Sequence, residues 1–289
     1  MNEFQVDVPL AVRLRLGHAA MQHLADSVGV DLLHIKGAAV DPELRPVELH
    51  GTDIDVLVRP AQFATLDRTM RRHGWRLHTS FQTGSPFGHA QTYLHETWGY
   101  VDVHRFFPGV RLDPDAAFER LWDDRRHLMI AAVSCAVPDT VAQSALLILN
   151  VARARGANAS DLDAAWHRAD AARRSEIEAL VAELRAEVGF AAALGDLERF
   201  RGERDYALWK AVSTGGTRAE EWWGRVRAAP TLSGAVGIVL RAPLVNVDHL
   251  QFRLGRRPTR GDVAKEFLAR PARALAEAWQ RLRRGGAGR

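Results

Sequence analysis

Two aspartates separated by a single residue, Asp53 and Asp55 in Gly51-Thr52-Asp53-Ile54-Asp55-Val56-Leu57-Val58, are the best placed for chemistry in this chain. Ile54, Val56, Leu57 and Val58 are strand formers, and side chains along a strand alternate between its faces. Asp53 and Asp55 therefore share one face, while Ile54, Val56 and Val58 pack behind it. Carboxylates this close repel unless a proton or a cation lies between them. Hard divalent cations such as Mg²⁺ take oxygen ligands of this kind and keep positions open for phosphate oxygens. Exposed acids at a strand end have the same spacing, so the metal reading depends on what flanks the pair.

Both flanks add to it. Upstream, Leu32-Leu33-His34-Ile35 reads as a short strand running into Lys36-Gly37-Ala38-Ala39. A glycine and small residues after a strand suit a strand-to-helix turn whose free N–H groups face an anion, and Lys36 adds a positive point charge. Downstream, Tyr100-Val101-Asp102-Val103-His104 alternates again and puts Asp102 and His104 on one face. Residues 89–96 and the turn Thr97-Trp98-Gly99 form the other arm of a hairpin. A third acid on a neighbouring strand is what a two-cation phosphoryl-transfer site requires.

This motif order, Lys36-Gly37, then Asp53-x-Asp55 with its apolar strand, then Val101-Asp102-Val103-His104, resembles the uncharacterised nucleotidyltransferases of the DNA polymerase β-like superfamily over residues 30–110. The resemblance implies an α+β (mixed α/β) fold: a polymerase β-like sheet with flanking helices, followed by a helical domain. It implies that Asp53 and Asp55 bind both of two Mg²⁺ (or Mn²⁺) ions, that Asp102 completes the site, and that Lys36 and Gly37 lie near the triphosphate. Relatives carry an arginine a few residues before the first aspartate; here the candidate is Arg45, eight positions upstream. They also carry a histidine in the first helix after the sheet, where this chain reads Leu147-Ile148-Leu149-Asn150. Thr52 either reaches a phosphate or bonds within its turn. His104 either orients Asp102 or touches substrate, or it is a packed structural histidine.

Composition fits a globular enzyme. The chain has 289 residues, 47% hydrophobic and 26% charged, enough for one large domain or two smaller ones. No apolar run reaches the roughly 18 residues of a membrane span, and the acidic start lacks a signal-peptide pattern, so a cytoplasmic protein is expected. The single cysteine, Cys135, forms no internal disulfide and reads as a small core residue. Charge is uneven: residues 252–289 hold eleven Lys/Arg against three acids, while the rest holds 28 bases and 32 acids. That basic region is a candidate for RNA contact through phosphate neutralisation, or a set of solvated helix faces. No dinucleotide fingerprint, phosphate-binding loop, zinc-protease motif or nucleophile elbow is present.

The elements that must position these residues follow from periodicity. Helical spacing predicts an N-terminal helix over 9–28, a second over 60–73 opened by Pro60, and a strand from Gly74. These belong to a catalytic α/β domain over 1–112. From Pro114 the pattern turns helical, giving a substrate-binding domain over 113–284 and a flexible tail over 285–289. Within it Pro138-Asp139-Thr140 starts a helix, Asn158 to Asp161 cap another, 175–194 is one amphipathic helix, 218–228 carries Trp222-Trp223, and 271–284 is a final basic helix. Substrate is expected between the two domains. The expected activity is transfer of a nucleoside monophosphate from a nucleoside triphosphate such as ATP to a hydroxyl or similar acceptor, with release of pyrophosphate. The acceptor, whether small molecule, protein or RNA, is left open. The alternative is a catalytically silent nucleotide-binding or scaffolding relative whose basic C-terminal region docks a partner.

Overall fold

A computed structural model of the chain describes residues 8–45, 51–82, 85–153, 159–241, 250, 254, 256–267 and 269. The chain divides into two compact units, Met1–Arg199 and Phe200–Arg289. In the first unit, helix α1 (Leu10–Asp26) leads to strand β1 (Leu32–His34) and β2 (Asp53–Val58). Pro60 opens a 3₁₀ turn into α2 (Phe63–Arg72), followed by β3 (Arg76–Thr79), β4 (Ala90–His95) and β5 (Gly99–His104). The five strands form one mixed sheet in the order β1-β2-β5-β4-β3, with β2 and β5 parallel and the other neighbours antiparallel. The fold class is the expected α+β.

Alternation along the central strands decides what each sheet face does. Ile54, Val56, Val58, Val101 and Val103 bury on one face with Leu14, Met21 and Leu24 of α1 and Leu66 and Met70 of α2. Each of these side chains contributes about 1.5–3 kcal/mol on burial. The opposite face carries Asp53, Asp55, Asp102 and His104. Further along it, Leu57 and Leu33 pack beneath α3 (Pro114–Asp123) and α4 (Thr140–Val151). Asp139 caps α4 by accepting from the Ala142 N–H, and the helix is buried along nearly its whole length. A rigid apolar layer thus braces the end of the sheet from which the carboxylates project.

Three segments depart from the sequence expectations. The stretch from Pro114 is not purely helical: β6 (Arg126–Ile130) and β7 (Val133–Val137) form an antiparallel hairpin, with Cys135 buried as expected. Its turn, Ala131-Ala132, takes φ of 46° and 65°. That is the left-handed geometry normally signalled by Asn-Gly, and two alanines give no such signal. The helix that should follow Lys36-Gly37 is only a three-residue 3₁₀ turn, Gly37–Ala39. The single helix expected over 175–194 is two, α6 (Ala171–Glu183) and α7 (Glu187–Leu194), broken where Arg185 adopts φ 53°. Before them, α5 (Ala159–Leu162) continues into a π-turn, and Asp161 lies within the helix rather than capping it.

The second unit contains α8 (Tyr206–Ser213), α9 (Arg218–Ala228) and α10 (Leu232–Arg241). A capping box of Thr217 and Glu220 starts α9. The backbones of α8 and α9 meet at Gly224, where a Cβ would lie 2.6 Å from the Leu208 Cα. Trp223 is exposed. The basic helix expected over 271–284 and the tail over 285–289 lie outside the described residues, as does much of the basic region. Within its described part, Arg256 pairs with Asp262 at 2.7 Å. Among the described residues no helix is long and apolar enough to cross a membrane.

Candidate active site

The parallel pairing of β2 with β5 sets Asp55 directly opposite Asp102, with Ile54 opposite Val101 and Val56 opposite Val103. His104, two residues beyond Asp102, reaches diagonally and donates from Nε2 to Asp55 Oδ1 at 2.9 Å. Lys36 swings in from the end of β1 and donates from Nζ to the same oxygen at 2.7 Å. On the far side, Thr92 of β4, paired with Asp102 in the ladder, donates its hydroxyl to Asp102 Oδ1 at 2.6 Å. Potential ligand atoms of Asp55, Asp102 and His104 all lie within 4.8 Å of one another.

Their environments drive the two facing carboxylates apart. Asp55 is buried, yet Lys36 and the His104 N–H outweigh that burial and hold its carboxyl well below the ordinary range. Asp102 has no cation of its own. Burial and then the Asp55 charge push its carboxyl up to about 7. Asp53 is raised for the same two reasons, burial first and Asp55 second. His104 is held neutral, down to about 4, because burial outweighs the Asp55 carboxylate. The site therefore carries more negative charge than the protein neutralises.

This donor set fits a hard divalent cation: two carboxylates with an imidazole beside them, and a buried His104 Nδ1 without a hydrogen-bond partner. Lys36 Nζ stands on Asp55 in the position of a positive charge. Asp53 lies on the same face, two residues before Asp55, but outside the three-residue group. Thr52, exposed, bonds the Asp53 side chain. Gly37 takes φ 62° and brings backbone against the site: a Cβ there would stand 3.5 Å from His18 Nε2 and 3.9 Å from the Asp53 carbonyl oxygen. Arg45 is engaged elsewhere, donating from Nε to Asp161 Oδ1 at 2.8 Å and from Nη2 to the second oxygen of the same carboxylate. That pair ties the segment after β1 to α5.

Two residues not singled out in the sequence stand beside the group. Arg153, just past α4, donates to Asn150 Oδ1 at 2.9 Å and to His89 Nε2 at 3.2 Å, while its buried Nε has no partner. Its guanidinium interacts electrostatically with Asp55 and Asp102. His89 donates from Nδ1 to Ser85 Oγ at 2.9 Å, and its ring centroid lies 4.8 Å from that of His104. The signal for Arg153 was an arginine one turn beyond Asn150 at the end of an almost wholly apolar helix. For His89 the signal was weaker, a histidine one residue before β4.

No family model matches the chain, and no curated protein matches it. Among solved structures, the chain is similar to a lincosamide antibiotic adenylyltransferase in its lincomycin-bound form, with 13% identity over 57% of this chain and 94% of that one, and a TM-score of 0.34. An antigenic nucleotidyltransferase-like protein from Paracoccidioides brasiliensis gives 16% identity over 66% and 89%, with a TM-score of 0.36. The antibiotic-resistance factor ANT(2'')-Ia gives 13% identity over 66% and 91%, with a TM-score of 0.34. Likeness at this level carries no argument about activity, which rests on the residues of the site.

Proposed function

We propose that this chain is a metal-dependent nucleotidyltransferase that moves a nucleoside monophosphate from a nucleoside triphosphate to an acceptor hydroxyl and releases pyrophosphate. The observation that carries the reading is the pair Asp55 and Asp102, opposed across two parallel strands, with only one of them neutralised by a side chain. Two such groups facing one another cost stability unless a cation joins them. Asp53, Asp55 and Asp102 would hold Mg²⁺ or Mn²⁺, which when bound neutralises charge developing on the attacking and leaving oxygens. Lys36, released from Asp55 as that carboxylate turns to a cation, would be free to meet the triphosphate beside Gly37. Arg153, whose guanidinium interacts with Asp55 and Asp102, would add positive charge for the same phosphates. Asp102, beside the cation, would also be placed to take up the hydrogen of the attacking hydroxyl. His104 keeps Asp55 oriented through its N–H.

Calorimetry of ATP, GTP, CTP and UTP with Mg²⁺ or Mn²⁺ tests the reading, on wild type and on the double variant Asp53→Ala/Asp55→Ala. Metal-dependent binding of a nucleotide that disappears in the double variant is expected. Nucleotide binding that is indifferent to both metal and the double substitution would refute the site.

A further inference from the structure

Register completes a square around the acids. Asp53 and Asp55 stand on β2, and β5 sets Tyr100 opposite Asp53 and Asp102 opposite Asp55. Alternation keeps all four side chains on one face of the sheet, so the fourth corner of a carboxylate cluster is an aromatic ring. The surface continues outward from that corner. Leu94 of β4 pairs with Tyr100, and Thr92 pairs with Asp102. The β3–β4 ladder shifts register between Leu77 and Thr79, and His78 reaches back over β4, its ring centroid 5.2 Å from that of Tyr100 and tilted by 59°. A bulge can re-aim a side chain in this way. Tyr100, Leu94, Thr92 and His78 are each half-buried, so none of them is sealed from solvent.

Strand order, β1-β2-β5-β4-β3, decides which reactant meets this surface. Lys36 comes from the end of β1 and stands on the β1 side of the facing carboxylates, bonded to Asp55. In-line displacement at the α-phosphorus sends the leaving group one way and admits the attacking oxygen from the other. With the triphosphate drawn towards Lys36, the attacker enters from the β5 side. Its oxygen bonds to the α-phosphorus as the bond to the bridging oxygen breaks, pyrophosphate leaves, and the hydroxyl proton passes to Asp102. Residues two apart on a strand are separated by about 7 Å, so a ring carried one or two bonds from that oxygen falls on Tyr100.

We infer that Tyr100, with Leu94 beside it and His78 at its edge, is the platform for the acceptor, a small molecule whose hydroxyl sits on, or one carbon from, a flat aromatic or heteroaromatic ring. The acceptor role rests on the nucleotidyltransferase reading. Rings about 4.5–7 Å apart in stacked or tilted pairs attract beyond the area they bury, so a flat guest can offer its face to Tyr100 and its edge to His78. A polynucleotide end would bring its next phosphate along the same face. Asp53 would repel that phosphate, and the arginine on the row, Arg76, is paired with Glu96 at 3.0 Å. A free ring has no such charge to place.

The chain has three tyrosines, Tyr93, Tyr100 and Tyr206, so full-length protein carrying 3-fluorotyrosine gives three ¹⁹F signals, and Tyr100→Phe assigns the one that matters. Mg²⁺ and α,β-methylene-ATP, which cannot release pyrophosphate, are added first and should leave the Tyr100 signal in place. A shift with the nucleotide alone would give the platform to the donor base and overturn the inference. Benzyl alcohol and catechol should then shift Tyr100 saturably without moving Tyr206, and cyclohexylmethanol, of similar size but not flat, should bind about tenfold more weakly. Equal responses from all three alcohols, no response, or tighter binding of a four-nucleotide oligouridylate would each overturn it. In Tyr100→Leu the Tyr93 and Tyr206 signals report a retained fold, and saturation transfer to benzyl alcohol should fall about tenfold. Calorimetry of Mg–ATP separates the two readings. Nucleotide binding without a ring response overturns this inference alone, whereas a ring response without binding of any nucleotide overturns the acceptor role together with the transfer chemistry.

Discussion

Replacing Asp102 by asparagine should stabilise the protein while removing cation binding, an outcome a structural carboxylate would not give. The Asp102 carboxyl is pushed up to about 7 by burial and by Asp55, against an ordinary 3.8. A difference of that size corresponds by linkage to at most about 4 kcal/mol of destabilisation once the group is ionised. The sign follows from proton counting. Between pH about 4 and about 7 the folded state binds a proton that the unfolded state has released, so stability falls as pH rises through that window. Asparagine is indifferent to pH and still accepts from the Thr92 hydroxyl. Asp102→Asn should therefore match wild type within about 1 kcal/mol near pH 4 and exceed it by about 2–4 kcal/mol near pH 8. In thermal unfolding that is about 5–10 °C. Unfolding in EDTA at both pH values measures it. Repeating the experiment with Mg²⁺ should raise the wild type by mass action and leave the variant where it was. Asp55→Asn is the internal control and moves the other way, because it removes the negative charge that Lys36 and the His104 N–H share; about 2–4 kcal/mol should be lost. An Asp102→Asn protein that is less stable than wild type at pH 8, or equally shifted at both pH values, would refute the argument that the two carboxylates repel.

Other sites give smaller and independent tests. Arg45→Ala leaves the nearly inaccessible Asp161 carboxylate without its two donors and should cost about 2–4 kcal/mol in urea unfolding, with Arg45→Lys recovering only part because it cannot bond both oxygens. Ala131→Asn/Ala132→Gly relieves two left-handed alanines in the β6–β7 turn and should gain about 1 kcal/mol, read as a higher denaturation midpoint at unchanged slope. Gly224→Ala, favourable by about 1 kcal/mol in an ordinary helix, should here cost about 2 kcal/mol or more, since its Cβ would meet backbone of α8; limited proteolysis within 200–241 reports the loosening.

The sheet was legible because its signal is local. Period-two alternation in 53–58 and 99–104 placed both strands and the face of each acid, and Pro60 marked the start of the next helix. The β6–β7 hairpin was not legible, because its turn is made by Ala131-Ala132, residues whose types carry no preference for positive φ. The break between α6 and α7 was hidden for the same reason: Arg185 takes the left-handed conformation in a run of good helix formers, and the Leu184 carbonyl, freed there, accepts from the Arg111 and Leu112 N–H groups far away in sequence. At Arg185 a distant contact overrode a local preference.

At the site, residue types were legible but roles were not, and Asp55 and Asp102 show why. They are the same residue, each flanked by valine or isoleucine on a central strand, and nothing local distinguishes them. Register puts them face to face, and what lies beyond each then divides them. Asp55 receives Lys36 from β1 and His104 from β5, while Asp102 receives only the neutral Thr92 hydroxyl from β4. One carboxylate is therefore fixed in its charged form, and the other is left with a proton to lose near neutrality. Strand order is what makes this assignment: β1, which leads into Lys36, lies beside β2 and not beside β5, so the lysine reaches Asp55. Arg45 shows the converse. Its type suits a phosphate, yet the fold brings Asp161 to it from 116 residues away and pairs it there through two N–H groups. The chemistry of a side chain is set by its type, and its availability by partners that the topology alone supplies.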